Sequence, residues 1–183
     1  MKPGFMIAAT SSGSGKTTFA RGLMTLLTRK GYKVQPFKCG PDYIDTKFHD
    51  MACGRKSINL DTFMASKAHV KALYNHYGAD ADINVVEGMM GLFDGYDRDR
   101  GSSAEIASVI GLPVVLVVDA KSAAYSTAAL LSGFMNFKAD VNIAGSTMSR
   151  ALYAVACLVL FIDGFSLYLA FRYGLRYRME ARK

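Results

Sequence analysis

The chain has 183 residues, 51% of them hydrophobic and 20% charged, with 17 Gly and 4 Pro, a composition that excludes a disordered, linker-like or fibrous protein and suits one domain of ordinary size. Three cysteines, Cys39, Cys53 and Cys157, are odd in number and widely spaced, so neither a disulfide framework nor a zinc site is indicated, and a reducing compartment, the cytoplasm, is expected. The net charge of +7 is uneven, with 16 basic and 13 acidic residues up to Gly145 and 6 and 2 after it; no basic stripe with interleaved aromatics appears in the first 145 residues, so nucleic acid is discounted as a partner.

The N-terminus runs at once into a short apolar strand, Phe5 to Ala9, with no secretory signal before it. Directly after that strand stands Thr10-Ser11-Ser12-Gly13-Ser14-Gly15-Lys16-Thr17-Thr18, followed by a helical pattern. In such a loop the backbone N–H groups of a glycine-rich turn and of a helix N-terminus converge on phosphate oxygens. Ser12, Gly13, Ser14, Gly15, Lys16, Thr17 and Thr18 are therefore the predicted nucleotide-binding residues, Lys16 as a charge near the terminal phosphates and Thr17 as a hydroxyl ligand of Mg²⁺. Glycine is predicted where a Cβ would keep the backbone from closing round the anion. The position six before Lys16 is Thr10, where the common pattern has Gly, a variant shared by amide-forming ligases and by partitioning ATPases; the latter place a second lysine at the position of Ser11, so Ser11 argues for the ligases.

Phe19, Leu23, Leu26 and Leu27 fall at helical spacing and Gly31 marks the expected helix end. A second strand is predicted at Lys33 to Phe37, and after it come Asp42 and Asp45, three apart, which would face the same way on one helical turn; a Pro-Asp turn followed by a helix cap is the other reading. Asp61 is predicted to cap a helix holding Val70, Leu73 and Tyr74. The third strand, Ile83 to Val86, ends in Glu87, which has the form of an acid beside a metal at a strand tip, because ligands of open parallel sheets lie beyond the carboxyl ends of the strands. Asp97 and Asp99 read as solvated loop charges, and Asp119 stays unassigned. Ser102 or Ser103 is predicted to cap a helix through Val109, and further elements are predicted at Val114 to Val118 (strand), Ala123 to Phe137 (helix) and Val141 to Ala144 (strand). His49, His69 and His76 read as surface or capping residues, and Cys39 as a small core residue without a neighbouring base. Strands alternating with helices predict an α/β fold: a P-loop NTPase-like parallel sheet with helices on both faces, ending after its fifth strand.

After Gly145 the texture changes. Residues 151 to 171 are nearly continuous apolar sequence, broken by Asp163, Gly164 and Ser166 and followed by Arg172, Arg176, Arg178, Arg182 and Lys183. A domain at 1–145 and a tail at 146–183 of unrelated character are expected, the tail being either a frameshift product or a membrane-like helix; a membrane is a partner only if the tail is genuine.

Five segments, Ile7 to Thr18, Val34 to Thr46, Asn59 to Met64, Val85 to Gly95 and Leu116 to Ser126, together resemble the cobyrinate a,c-diamide synthase family, in its N-terminal, dethiobiotin-synthetase-like domain, over about residues 5 to 145. The resemblance implies ATP- and Mg²⁺-dependent amidation of the a- and c-carboxylates of a corrinoid, with glutamine or ammonia as nitrogen source. It implies catalytic roles for Lys16, Asp45 and Asp94 and metal ligation by Thr17, Asp42 and Glu87. It also implies a glutaminase domain with a catalytic Cys and His; Ser146 to Lys183 match none of it, and Cys157 has no His downstream to partner it. A homodimer stays open, as does the runner-up reading, a P-loop ATPase switch that docks on a membrane.

Overall fold

The computed structural model describes residues 2–120 and 125–143. The chain divides into two compact units, the first comprising Met1–Val118 with Asp140–Ile143, the second beginning at Asp119, inside the domain drawn from the sequence at 1–145. The described part of the second unit holds one helix, α5 (Ser126–Phe137). The predicted start of that helix at Ala123 and the whole of the predicted tail at 146–183 lie outside the described residues.

The first unit is an α/β sandwich with the order β1 (Gly4–Ala9), α1 (Lys16–Arg29), β2 (Val34–Cys39), α2 (Asp45–Cys53), β3 (Ile58–Leu60), α3 (Lys67–Gly78), β4 (Ile83–Glu87), α4 (Ser103–Ile110) and β5 (Val114–Val117). The strands form one parallel sheet in the order β3-β2-β4-β1-β5. Right-handed crossovers dictate the layers. From β1 to β2 to β3 the chain steps one way along the sheet, which puts α1 and α2 on one face; from β3 to β4 to β5 it steps back, which puts α3 and α4 on the other. The observed packing of α1 on α2 and of α3 on α4 agrees. Because both faces are covered, the strands are buried with no alternation: Phe5 to Ala9 and all of β2 lie in the core.

Local chemistry explains most element ends. Helix α1 buries Ala20, Leu23 and Met24, and truncating Leu23 to Ala would cost about 2 to 5 kcal/mol. It stops as predicted at Gly31, whose φ of +88° lets the amides of Gly31 and Tyr32 turn back onto the carbonyls of Thr28 (2.9 Å) and Leu27 (3.1 Å). Ser102 caps α4, its hydroxyl accepting from the Glu105 amide at 3.2 Å. Pro36 is tolerated inside β2 because β3 pairs only with Phe37 to Cys39, leaving Pro36 at an edge.

Two expectations are corrected. Val141 to Ala144 is not a strand of the sheet: its described part makes one isolated parallel bridge, Ile143 to Val114, since it reaches β5 at a single register. The fifth strand is instead β3, three residues long and too short to carry a periodic signal. Asp61 is not the cap of α3. It accepts from the amides of Phe63 (2.7 Å) and Met64 (3.3 Å) in its own turn, and Ser66, accepting from the His69 amide at 3.2 Å, is the cap.

Candidate functional site

Strands β1 and β4 are neighbours whose following helices leave to opposite faces, so a crevice opens beyond their carboxyl ends, where open parallel sheets bind ligands. The Thr10–Thr18 loop leaves β1 into this crevice. Its entry is fixed by the Thr10 amide donating to the Val117 carbonyl (3.2 Å), and its exit by the first helical bond, Phe19 amide to Gly15 carbonyl (3.0 Å). Ser14 Oγ donates to the Ser11 carbonyl and lies 3.0 Å from Ser11 Oγ, closing the turn on itself. Gly13 and Gly15 have φ of +80° and +81°, the left-handed region, while an added Cβ at either would touch no protein atom within 4 Å. The glycines are therefore required by backbone conformation and not by crowding within the protein.

Beside the loop lies a cluster of charged side chains in close contact. Lys38, on β2, is in register with Glu87 on β4, and its ammonium donates to Glu87 Oε1 (2.9 Å), Asp45 Oδ2 (2.6 Å) and the Gly88 carbonyl (3.3 Å). Thr17 Oγ1 donates to the same Glu87 Oε1 at 2.6 Å and approaches Asp45 Oδ2 at 3.3 Å. Glu87 Oε2 lies 2.6 Å from His49 Nε2, and His49 Nδ1 lies 3.1 Å from Ser57 Oγ. Lys38 is 2% exposed and Glu87 and His49 are fully buried, so the ion pairs act at short range with little screening by water.

The electrostatics follow. Burial alone would raise the Glu87 pKa, but His49, Lys38 and Thr17 together hold it down at about 2. Burial would lower Lys38, and Glu87 and Asp45 overcome it, leaving the ammonium above its ordinary value. Lys16 is shifted down, first by burial and then by the like charge of Lys38. Burial pushes the Cys39 thiol up to about 12, consistent with an inert core residue.

The predicted residues are thus partly brought together. Lys16, Thr17, Asp45 and Glu87 converge. Asp42 stands further out: its Oδ1 accepts from the amides of Ile44 and Asp45 (both 3.0 Å), the turn-and-cap arrangement, while Oδ2 is 3.6 Å from Lys38 Nζ. Burial would raise the Asp42 pKa, and these two amides and Lys38 hold it down. Asp94 is exposed, with Oδ2 accepting from the Gly91 amide at 3.0 Å; the adjacent Leu92 amide donates to the Ala9 carbonyl (2.8 Å), which pins this loop beside Thr10. Ser12, Gly13 and Thr18 face solvent. Asp97 pairs at the surface with Arg100 at 3.4 Å.

Two members of the cluster lie outside the residues predicted from sequence. Lys38 follows the predicted second strand, which ends at Phe37, yet it lies within β2; its signal is a lysine near the tip of a fully buried strand next to the strand that ends in Glu87. His49 is corrected from a surface or capping residue: four residues after Asp45 on α2, it shares that residue's helix face and points into the cluster.

Among the described residues no three His, Cys, Asp or Glu side chains form a metal cage. Thr17 Oγ1, Asp45 Oδ2 and Glu87 Oε1 nonetheless converge, a hydroxyl and two carboxylates, which is the hard-oxygen donor set Mg²⁺ takes when phosphate oxygens and waters complete its shell. The residues present fit that ion, and Asp42 stands at the edge of the same cluster, its Oδ2 3.6 Å from Lys38 Nζ.

Comparisons with known proteins bear on these residues. The family described as CobQ/CobB/MinD/ParA nucleotide binding domain matches residues 5–151. Cobyrinate a,c-diamide synthase of Caldanaerobacter subterraneus is 48% identical over 147 residues, 80% of this chain and 32% of that one. The Salmonella typhimurium protein of the same name is 46% identical over 148 residues, and hydrogenobyrinate a,c-diamide synthase of Mycobacterium bovis 46% over 150. The chain spans about a third of the length of these curated relatives. Among solved structures, chloroplast FtsY from Physcomitrella patens aligns with a TM-score of 0.55 at 16% identity, over 76% of this chain and 48% of that one. A DUF1611 family protein from Anabaena variabilis aligns with a TM-score of 0.53 at 14% identity, over 94% and 55%. At these identities the two structures speak for the fold alone.

Proposed function

The chain belongs to the CobQ/CobB/MinD/ParA nucleotide-binding family, and from that premise we propose that it is the ATP-binding part of an amidoligase that converts the a- and c-carboxylates of a corrinoid to amides in cobalamin biosynthesis. The observation that supports this most strongly is the convergence of the phosphate loop with Glu87, Asp45 and Lys38 at adjoining strand ends.

A carboxylate resists attack by ammonia because its carbon is shielded by full negative charge and its leaving group would be an oxide. Transfer of the γ-phosphoryl group cures both faults: a carboxylate oxygen bonds to the γ-phosphorus, the bond from that phosphorus to the β-bridging oxygen breaks, and ADP leaves. Ammonia, free or released from glutamine, then adds to the acyl carbon, and the tetrahedral adduct loses a proton and expels inorganic phosphate, leaving the amide. In the first step the main-chain amides of Ser12 to Thr18 bind the phosphates and Lys16 sets its charge near the transferred group. Thr17, Asp45 and Glu87 would hold Mg²⁺, which when bound supplies positive charge against the phosphate oxygens. Lys38 holds Asp45 and Glu87 in place from the side away from solvent, and His49 orients Glu87 from behind.

The test is release of ADP by the full chain with Mg²⁺, cobyrinate and ammonium, with amide formation followed by mass spectrometry. Corrinoid-dependent ADP release is expected, as is its loss in Lys16→Ala. ATP turnover indifferent to corrinoid and stimulated by lipid vesicles would contradict this function in favour of a membrane-docking switch.

A further inference from the structure

Two loops at the carboxyl edge of the sheet, between β3 and α3 and between β4 and α4, bring together an aromatic pair that buries little of itself. Phe63 and Tyr96 stack edge to face with centroids 4.9 Å apart, while Phe63 remains 71% exposed and Tyr96 54%. Scattered exposed apolar side chains need no explanation, but a pair assembled from two loops and left open to water does.

The pair is also braced from beneath. Glu105 Oε2 accepts from Thr62 Oγ1 (2.7 Å) and from the Gly101 amide (2.8 Å), tying the two loops together, and Oε1 pairs with Lys67 at 2.8 Å. Asp61 fixes the Phe63 amide at 2.7 Å. Tyr96 rides on a tight hairpin in which the Gly95 amide donates to the Arg98 carbonyl (2.8 Å) and the Tyr96 amide to that of Arg100 (3.0 Å). Gly101, at φ +77°, lies against the ring so closely that a Cβ would come within 2.6 Å of it, and the Arg100 guanidinium sits 5.6 Å from its centroid. Arg98 at the hairpin tip and Met90 at the loop's start have φ of +54° and +43°, conformations that non-glycine residues keep only where the surroundings impose them. The ring is thus exposed without being loose. Tyr96 follows Asp94 by two residues, in the loop whose Leu92 amide is pinned to the Ala9 carbonyl, and the loops carrying the pair leave the same carboxyl edge of the sheet as the phosphate loop.

Resting on the corrinoid reading above, we infer that Phe63 and Tyr96 form a preorganised apolar platform that receives the methyl-bearing rim of the tetrapyrrole macrocycle, so that a peripheral carboxylate arm extends over the crevice toward Lys16. A macrocycle with an apolar, methyl-bearing rim and carboxylate arms matches this arrangement: the rim packs against the exposed aromatic surface of the edge-to-face pair, and the arms reach past it.

Equilibrium binding of cobyrinate, read by the shift of its visible absorbance, tests this on the full chain and on Phe63→Ala, Tyr96→Ala and Tyr96→Phe. Both alanine variants should weaken binding about fivefold to tenfold each, with Tyr96→Phe near wild type and Mg²⁺-ATP affinity unchanged in all three, since both rings are exposed and outside the phosphate site. If the wild type binds cobyrinate and the alanine variants bind it equally well, the platform is overturned and the corrinoid reading stands. If the wild type binds Mg²⁺-ATP and no cobyrinate, the corrinoid reading falls and the platform with it.

Discussion

The phosphate loop and the acid-ammonium cluster adjoin one another at the ends of β1 and β4, yet they are held in opposite ways. Ser11 to Gly13 and Gly15 are exposed, touch little but their own turn, and owe their shape to two glycines at positive φ. Glu87, Lys38 and His49 are buried, come from three different elements, and satisfy one another. A shape that local backbone chemistry imposes is written in consecutive residues and stays poised for a ligand. A shape that depends on burial is written in residues far apart in the chain and is part of the stability of the fold.

That contrast can be broken most forcefully at Glu87. Glu87→Gln leaves the buried Lys38 ammonium short of its main counter-charge, and urea denaturation should show a loss of about 3 to 5 kcal/mol together with weaker Mg²⁺-dependent ATP binding. The companion double variant Lys38→Met, Glu87→Leu should recover part of that stability while leaving ATP binding impaired, because the buried ammonium leaves together with its main counter-charge, although Asp45 and His49 each still lose a partner.

Acid should act through the same residue. Because folding depresses the Glu87 pKa to about 2, its ionised form contributes stability that is fully present above its unfolded value near 4.5 and is lost as pH falls toward 2. Stability measured by denaturation between pH 5 and pH 2.5 should fall by up to about 3 kcal/mol in the wild type and by clearly less in Glu87→Gln. On the alkaline side the raised pKa of Lys38 means that its contribution is present below about 10.5 and fades as pH rises above it.

A smaller effect is expected at His49. His49→Ala removes one hydrogen bond to a buried carboxylate and should cost about 1 to 3 kcal/mol, with a larger relative loss of Mg²⁺-dependent than of Mg²⁺-independent ATP affinity. The smallest stability change belongs to the exposed loop: Gly13→Ala forces an L-residue to φ +80° and should cost about 1 to 2 kcal/mol of folding stability, while ATP affinity, measured by titration calorimetry, falls at least tenfold.

The same contrast explains which features are legible in the amino-acid sequence. The phosphate loop is legible because strand, turn and helix are contiguous, and β1, β2, β4 and β5 because sheets covered on both faces leave short, largely apolar runs. β3 is not, since Ile58 to Leu60 is too short to show a period, and α2 is foreshadowed only as a single turn because just Thr46, His49 and Cys53 of its nine residues are buried. Lys38 and His49 stay hidden for a related reason. Their partners lie 49 and 38 residues away, and only the strand order and the helix face bring them to Glu87.

At the centre of this account is the proposal that the Thr10–Thr18 amides and Lys16 bind a nucleotide triphosphate, with a divalent ion held by Thr17, Asp45 and Glu87. Thermal unfolding with and without Mg²⁺-ATP, run side by side on the wild type and Lys16→Ala, tests this most directly. A clear upward shift of Tm by Mg²⁺-ATP is predicted in the wild type, diminished without Mg²⁺, and none in Lys16→Ala despite an unchanged ligand-free Tm. An equal shift in both proteins would contradict it.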